Sequence, residues 1–185
     1  MKNLKLKSLI TLMVLMFVAV SCVKEDQTGE MTVKMTDAPA DFAQVNVEIK
    51  EVWVHYDGNN GGINGWVKLE TNAGVYNLLE LRNDVTAVIA NQSALAVGNF
   101  NQIRLILGEN NYAVAVENGL EINYSLLLSS QDQTGLKINV NSEIKANQTL
   151  QVVLDFDAEA SIVEQGNGEF RLKPVIHVES VVHMQ

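Results

Sequence analysis

The sequence is short of cysteine, proline and positive charge. Of its 185 residues one is cysteine, two are proline, and 13 are Lys or Arg against 22 Asp or Glu. One cysteine permits neither an internal disulfide nor a cysteine-based zinc site. No Pro- or Ser-rich linker and no internal repeat divide the chain, and its length suits a single domain of about 100–200 residues. Of the basic residues Lys2, Lys5 and Lys7 stand before Cys22, so residues 22–185 keep ten basic groups against all 22 acidic ones, a formal charge of −12. A surface this acidic repels phosphate backbones and disfavours nucleic acid as a partner. Catalytic signatures are missing as well. The chain has no GxSxG elbow, no GxxxxGK[ST] loop and no strand-linked GxGxxG, which removes the commonest nucleophile and phosphate-binding arrangements.

What is present begins with an address. A basic start is followed by twelve uncharged residues, 9–20 (LITLMVLMFVAV), and then by Ser21-Cys22. Basic, apolar and small in that order read as a secretory signal peptide over residues 1–21. Twelve apolar residues fall short of the roughly 20 that cross a hydrocarbon core. Residues 19–22 (AVSC) resemble a bacterial lipobox, with Ala19 where leucine is usual. The resemblance implies a lipidated, palmitate-bearing Cys22, and two or more acyl chains give durable anchoring where one is marginal. Lys24, Glu25 and Asp26 directly after it resemble the lipoprotein export signal of Bacteroidota, which directs display on the outer face of the outer membrane; a periplasm-facing anchor is the alternative. Residues 22–30 are then a lipidated tether and residues 31–185 the folded domain.

In that domain the dominant period is two. Val45, Val47 and Ile49 alternate with polar residues, and Val52, Val54 and Tyr56 continue one position out of phase. Such a phase change inside a strand predicts a β-bulge. Similar runs end in Leu107, Val140 and Phe156, and a last one is expected from Phe170 through Val178. Turn signals at 57–65 (DGNNGGING), 108–111 (GENN), 118–119 and 166–168 separate them. Seven to nine short strands so spaced predict an all-β fold, an antiparallel β-sandwich of immunoglobulin-like or prealbumin-like kind. One short helix is expected near 83–94, where Val85, Val88 and Ile89 have helical spacing. At this size folding buries roughly 68–70% of the unfolded surface, so no disulfide or metal is needed for stability.

Candidate chemistry is sparse. His55, His177 and His183 are too scattered for a helical zinc pair and are expected at the solvent face. The loop 57–65 is not an EF-hand, because Gly61 and Lys68 fall on ligand positions five and twelve. Trp53, Tyr56 and Trp66 flank it and are expected to pack across a hairpin, ahead of serving as a platform for sugar rings. Asp155 and Asp157 are two apart in a predicted strand, so both are expected on the face opposite Leu154 and Phe156. With Asp37 they could hold calcium or act as acid and base. The more economical expectation is cross-strand pairing with Arg104, Lys137, Arg171 and Lys173. Residues 36–39 (TDAP) read as a turn in which Asp37 bonds its own backbone.

The ordered segments 35–39 (MTDAP) with Phe42, 45–49 (VNVEI), 77–81 (NLLEL), 102–105 (QIRL), 134–138 (TGLKI), 154–157 (LDFD) with Ser161-Ile162, and 172–176 (LKPVI) resemble the bacterial lipoprotein domain called domain of unknown function 4382. His177 stands where such domains often have arginine. The resemblance implies a secreted, β-rich, membrane-tethered domain and brings no catalytic residue. The functional expectation is a non-catalytic, lipid-anchored envelope module that binds a glycan, a matrix component or a protein. A structural or assembly partner of an envelope complex comes second, and a hydrolase using Asp155 and Asp157 third.

Overall fold

The alternation around Val45–Tyr56 builds the longest strand, β2 (Gln44–Asp57), and the phase change is a bulge. In the computed structural model the register of β2 against β6 (Gly98–Leu107) slips between Ile49 and Glu51, so Val45, Val47 and Ile49 before it and Val52, Val54 and Tyr56 after it are all buried. The structure describes residues 27–37, 40–58, 64–166 and 168–185. The signal segment, Cys22 and the export residues Lys24, Glu25 and Asp26 lie outside the described residues. Among those described, no helix is long and apolar enough to cross a membrane.

Among the described residues thirteen strands form two sheets. The first has four strands in the order β13 (Ile176–Met184), β10 (Thr149–Phe156), β1 (Thr28–Thr36), β5 (Ala87–Ala96). The second has nine: β11 (Ile162–Glu164), β12 (Phe170–Leu172), β8 (Leu120–Leu128), β7 (Tyr112–Glu117), β2, β6 (Gly98–Leu107) and β9 (Leu136–Ile144) in order, with β3 (Asn64–Lys68) and β4 (Gly74–Asn77) also paired to β2. Inward residues of both sheets form one core that includes Met31, Val33, Ile89, Val54, Ile103 and Phe156. Tyr56 belongs to it, its hydroxyl donating to Ala96 O at 2.9 Å and its pKa pushed up by burial to about 12. The all-β sandwich is as expected, and no sheet closes into a barrel.

Several details depart from the sequence expectation. The sheets are not purely antiparallel, because β1 runs parallel to β10 and β12 parallel to β8. There are more strands than seven to nine, because β3, β4, β11 and β12 have only three to five residues each, too few to show a period. No helix forms over 83–94. Asn83 and Asp84 take left-handed φ values of 57° and 67°, which turn the chain into β5. Two register shifts against β1 give that strand an irregular burial that looks helical in spacing. The only α-helix among the described residues is α1 (Ala158–Ser161).

The run from Phe170 to Val178 is two strands in different sheets. Residues 173–175 carry the chain between them and are fastened to α1: Lys173 N donates to Ser161 O and Val175 N to Ser161 Oγ, both at 2.8 Å. Pro174 lacks an N–H and suits such a crossing. β1 also begins at Thr28, three residues before the expected start of the folded domain at Met31. Gly29 is buried there, where an added Cβ would lie 2.3 Å from Lys145 O, so this position in the sheet requires glycine.

Candidate functional site

Two charged regions remain after the core is assembled, and they lie on different sheets. The first is an acidic cleft of about 490 Å³ at one end of the four-stranded sheet, lined by Thr36, Asp37, Asp84, Asp155 and Glu179 among others. Asp155 sits near the end of β10 with Thr36 and His177 as its cross-strand neighbours. Burial raises its pKa, the charges of Asp157 and Glu179 raise it further, and His177 opposes them. Asp157 is not in the strand. It is the N-cap of α1, where its carboxylate accepts from Ala160 N at 2.8 Å. Asp37 is 7% exposed, and its Oδ1 accepts from Ala158 N at 2.9 Å. Rather than closing only a local turn, Asp37 ties the end of β1 to α1, while its own N–H donates to Leu81 O at 3.0 Å.

These carboxylates therefore do not share a strand face. Asp37 and Asp157 satisfy N–H groups at the start of α1, which a helix of any length leaves without internal acceptors. Among the described residues no three His, Cys, Asp or Glu side chains form a group able to hold a metal ion. The expected ladder of charge pairs is absent too. None of Arg104, Lys137, Arg171 and Lys173 pairs with a carboxylate among the described residues. Arg171 and Lys173 instead border a cavity of about 400 Å³ with Ser129, Asp132 and Val163, between β12 and the loop after β8.

The second region is the outer face of β3, β2, β6 and β9. Registers place Lys68, Trp53, Arg104 and Lys137 in one row across these strands, and Trp66, His55, Gln102 and Asn139 in the next. The Arg104 guanidinium carbon lies 3.9 Å from the centre of the Trp66 ring, and the Trp66 and His55 ring centres are 4.9 Å apart. Gln102 Nε2 donates to Asn139 Oδ1 at 2.9 Å, and His55 Nδ1 and Asn101 Oδ1 are 3.0 Å apart. Lys68 Nζ and Trp53 Nε1 donate to Glu51 at 2.6 and 2.8 Å and hold its carboxyl below the usual range. Glu48, farther along β2, accepts from Asn110 N at 2.9 Å. Tyr56 is not part of the aromatic group, because three residues of spacing from Trp53 turn it to the core.

Arg104 is fixed by more than the stacking. Gly135, at φ 107°, approaches so closely that a Cβ there would lie 2.8 Å from Arg104 Cδ. Arg104 Nε is buried and meets no acceptor, and Lys137 is exposed directly across the β6–β9 ladder. Like charges directly opposite in a sheet are destabilising. A chain with an excess of acidic residues has left this pair without one. The sequence singles out Trp53, Trp66, Arg104 and Lys137 but sets the two cations against Asp37, Asp155 and Asp157. The available signal was the two-residue spacing of Trp53 and His55, which puts them on one face with Arg104 once β2 and β6 are paired.

The family described as Domain of unknown function (DUF4382) matches residues 28–174. The chain belongs to that family. The matched stretch opens at the first residue of β1 and closes in the crossing before β13. No curated protein and no solved structure matches the chain.

Proposed function

We propose that this protein is a non-catalytic, lipid-anchored binding module of the bacterial cell envelope, tethered through Cys22 and displayed at the outer membrane. The observation that carries the binding role is the outer face of β3, β2, β6 and β9. It holds a guanidinium placed against the Trp66 ring and a facing lysine, and neither meets a carboxylate among the described residues. Residues that lower stability yet persist are best explained by a partner that compensates them. The anchoring rests on the signal segment, the residues around Cys22 and the export residues Lys24, Glu25 and Asp26. The acidic cleft supports a hydrolase less well, since Asp37 and Asp157 hold α1 in place and the expected pair of Asp155 and Asp157 on one strand face does not form.

The test has two arms. Cells fed a labelled palmitate should mark the wild-type chain and leave Cys22→Ser unmarked, and protease added to intact cells should remove the wild-type domain. Full resistance of the domain on whole cells, with cleavage after lysis, would place it on the periplasmic side. Glycan arrays and protein capture with the full chain test the binding role, and consistent failure to retain any ligand would count against it. A structural role in an envelope complex is favoured by one observation. Val116, Leu120 and Leu127 on β7 and β8 are 61%, 69% and 58% exposed. Crosslinking in intact cells would support that role by returning one stoichiometric envelope protein through this hairpin.

A further inference from the structure

We propose that the outer face of β3, β2, β6 and β9 binds an acidic polysaccharide, with Arg104 and Lys137 taking its carboxylate or sulfate groups and Trp66 and Trp53 supporting the sugar rings. This rests on the binding-module reading and names its site and ligand class.

The charge argument comes first. Arg104 and Lys137 are Cα partners across β6 and β9, and neither meets a carboxylate among the described residues. The nearby acids on β2 are committed, Glu51 to Lys68 and Trp53, Glu48 to Asn110 N. A protein of net charge −9 thus gathers positive charge in one place and leaves it uncompensated, which selects an anionic ligand. The guanidinium sits over the Trp66 ring, and its stem packs against Gly135. Its donors form a rigid fork that matches a carboxylate or sulfate, whereas the lysine opposite adds a mobile point charge.

The rest of the face argues for a sugar rather than a peptide or a headgroup. Four strands about 4.8 Å apart make a floor about 14 Å across, the span of a short oligosaccharide. Indole rings and a guanidinium plane give flat surfaces for the apolar side of a pyranose. The Gln102–Asn139 amide pair beside them, bonded at 2.9 Å, keeps further donors and acceptors for hydroxyls. β3 and β9 pair on one side only, so an extended peptide would add at the outer edges of this floor and not over its rings and guanidinium. Nor, among the described residues, do its strands carry an exposed large apolar side chain that would enter a lipid bilayer.

The experiment is affinity electrophoresis of the full-length chain in detergent, through gels containing polygalacturonate or chondroitin sulfate, with xylan and pullulan as neutral controls. Wild type should be retarded by the acidic polymers alone. Arg104→Ala and Lys137→Glu should each weaken the retardation roughly tenfold or more, as expected for a lost charge-assisted contact. Trp66→Ala should weaken it as well, and Lys173→Glu, the same charge change elsewhere, should leave it unchanged. Lys137 is exposed, so Lys137→Glu keeps the fold, and a thermal melt checks this. Equal loss with Lys173→Glu would reduce the effect to net charge and overturn the site. Equal binding of poly-glutamate, or of phosphatidylglycerol vesicles, would replace the sugar with an acidic protein or a membrane. Retention by a neutral glycan or a captured protein, unaffected by these variants, would overturn this inference while leaving the binding module standing. No retardation of wild type by any acidic polymer would overturn it outright.

Discussion

The acidic cleft beside β10 and the cationic face over β2 and β6 carry opposite charge, and the fold treats them differently. In the cleft the carboxylates are absorbed into the architecture. Asp37 joins β1 to α1 and Asp157 caps that helix, and Asp155 is left crowded by like charge. On the face, Arg104 and Lys137 meet no carboxylate among the described residues, and Arg104 is positioned by the Trp66 ring and Gly135. A charged residue with structural work to do is weak support for a site. One that is oriented but unpaired is stronger.

The comparison breaks most easily at Asp37. If its carboxylate is structural, Asp37→Ala leaves Ala158 N without its acceptor in a buried place and should destabilise the domain by about 2–3 kcal/mol, the loss expected for a buried bond to a charged group. Asp37→Asn keeps an acceptor and should cost less. Urea unfolding followed by circular dichroism measures both, and an Ala variant as stable as the parent would return Asp37 to the list of residues kept for function. The corresponding test on the face is Gly135→Ala. A side chain at φ 107° is strained and its Cβ would press on Arg104, so a loss of about 1–2 kcal/mol is expected. A crystal structure or a change in Trp66 fluorescence should show the guanidinium displaced from the ring.

Lys137→Glu should act in the other direction. It turns a like-charge pair across β6 and β9 into an opposite-charge pair, and a gain of about 0.5 kcal/mol is expected from cross-strand pairing. A variant that is more stable in thermal melts yet defective in ligand retention would separate function from folding at a single residue. A variant that is less stable would mean that Lys137 already has a structural partner, and the contrast between the two regions would fail.

How far the sequence could lead depended on whether the signal was local. The bulge at the middle of β2 was legible, because seven alternating residues on either side of one phase change leave few alternatives. The hairpin from β2 to β3 was legible from its turn residues. Sheet membership was not. Asp155 and Arg104 both lie on alternating strands, and nothing in either run tells which sheet the strand enters, so cross-strand pairing between them looked natural. The period through Phe170, Leu172, Ile176 and Val178 likewise continued across Pro174 while the chain changed sheets. Phase also misled at β5, where two register shifts against β1 disguised a strand as a helix. In each case the deciding contact joins residues far apart in sequence, and neither local propensity nor periodicity encodes it.

The smallest expected effect is at Asp155, and its sign distinguishes crowding from use. Burial, reinforced by Asp157 and Glu179 and opposed by His177, lifts its carboxyl above the ordinary 3.8. The folded state therefore binds this proton more tightly than the unfolded state does. The associated stability is present below the ordinary carboxylate value and is lost as pH rises through the higher folded value. At neutral pH, Asp155→Asn removes a charge the fold disfavours, so it should melt slightly higher than the parent. The gain should be about 0.5 kcal/mol or less, because the group is partly open to screening by solvent. The difference should close as the solution is acidified and the parent's carboxyl protonates. A loss of stability at neutral pH would mean that the carboxylate is held in its charged form by a cation or a donor, as a working site requires. Asp155→Asn and Lys137→Glu would then fall on opposite sides of neutrality, and the cleft rather than the face would be the place to look for a ligand.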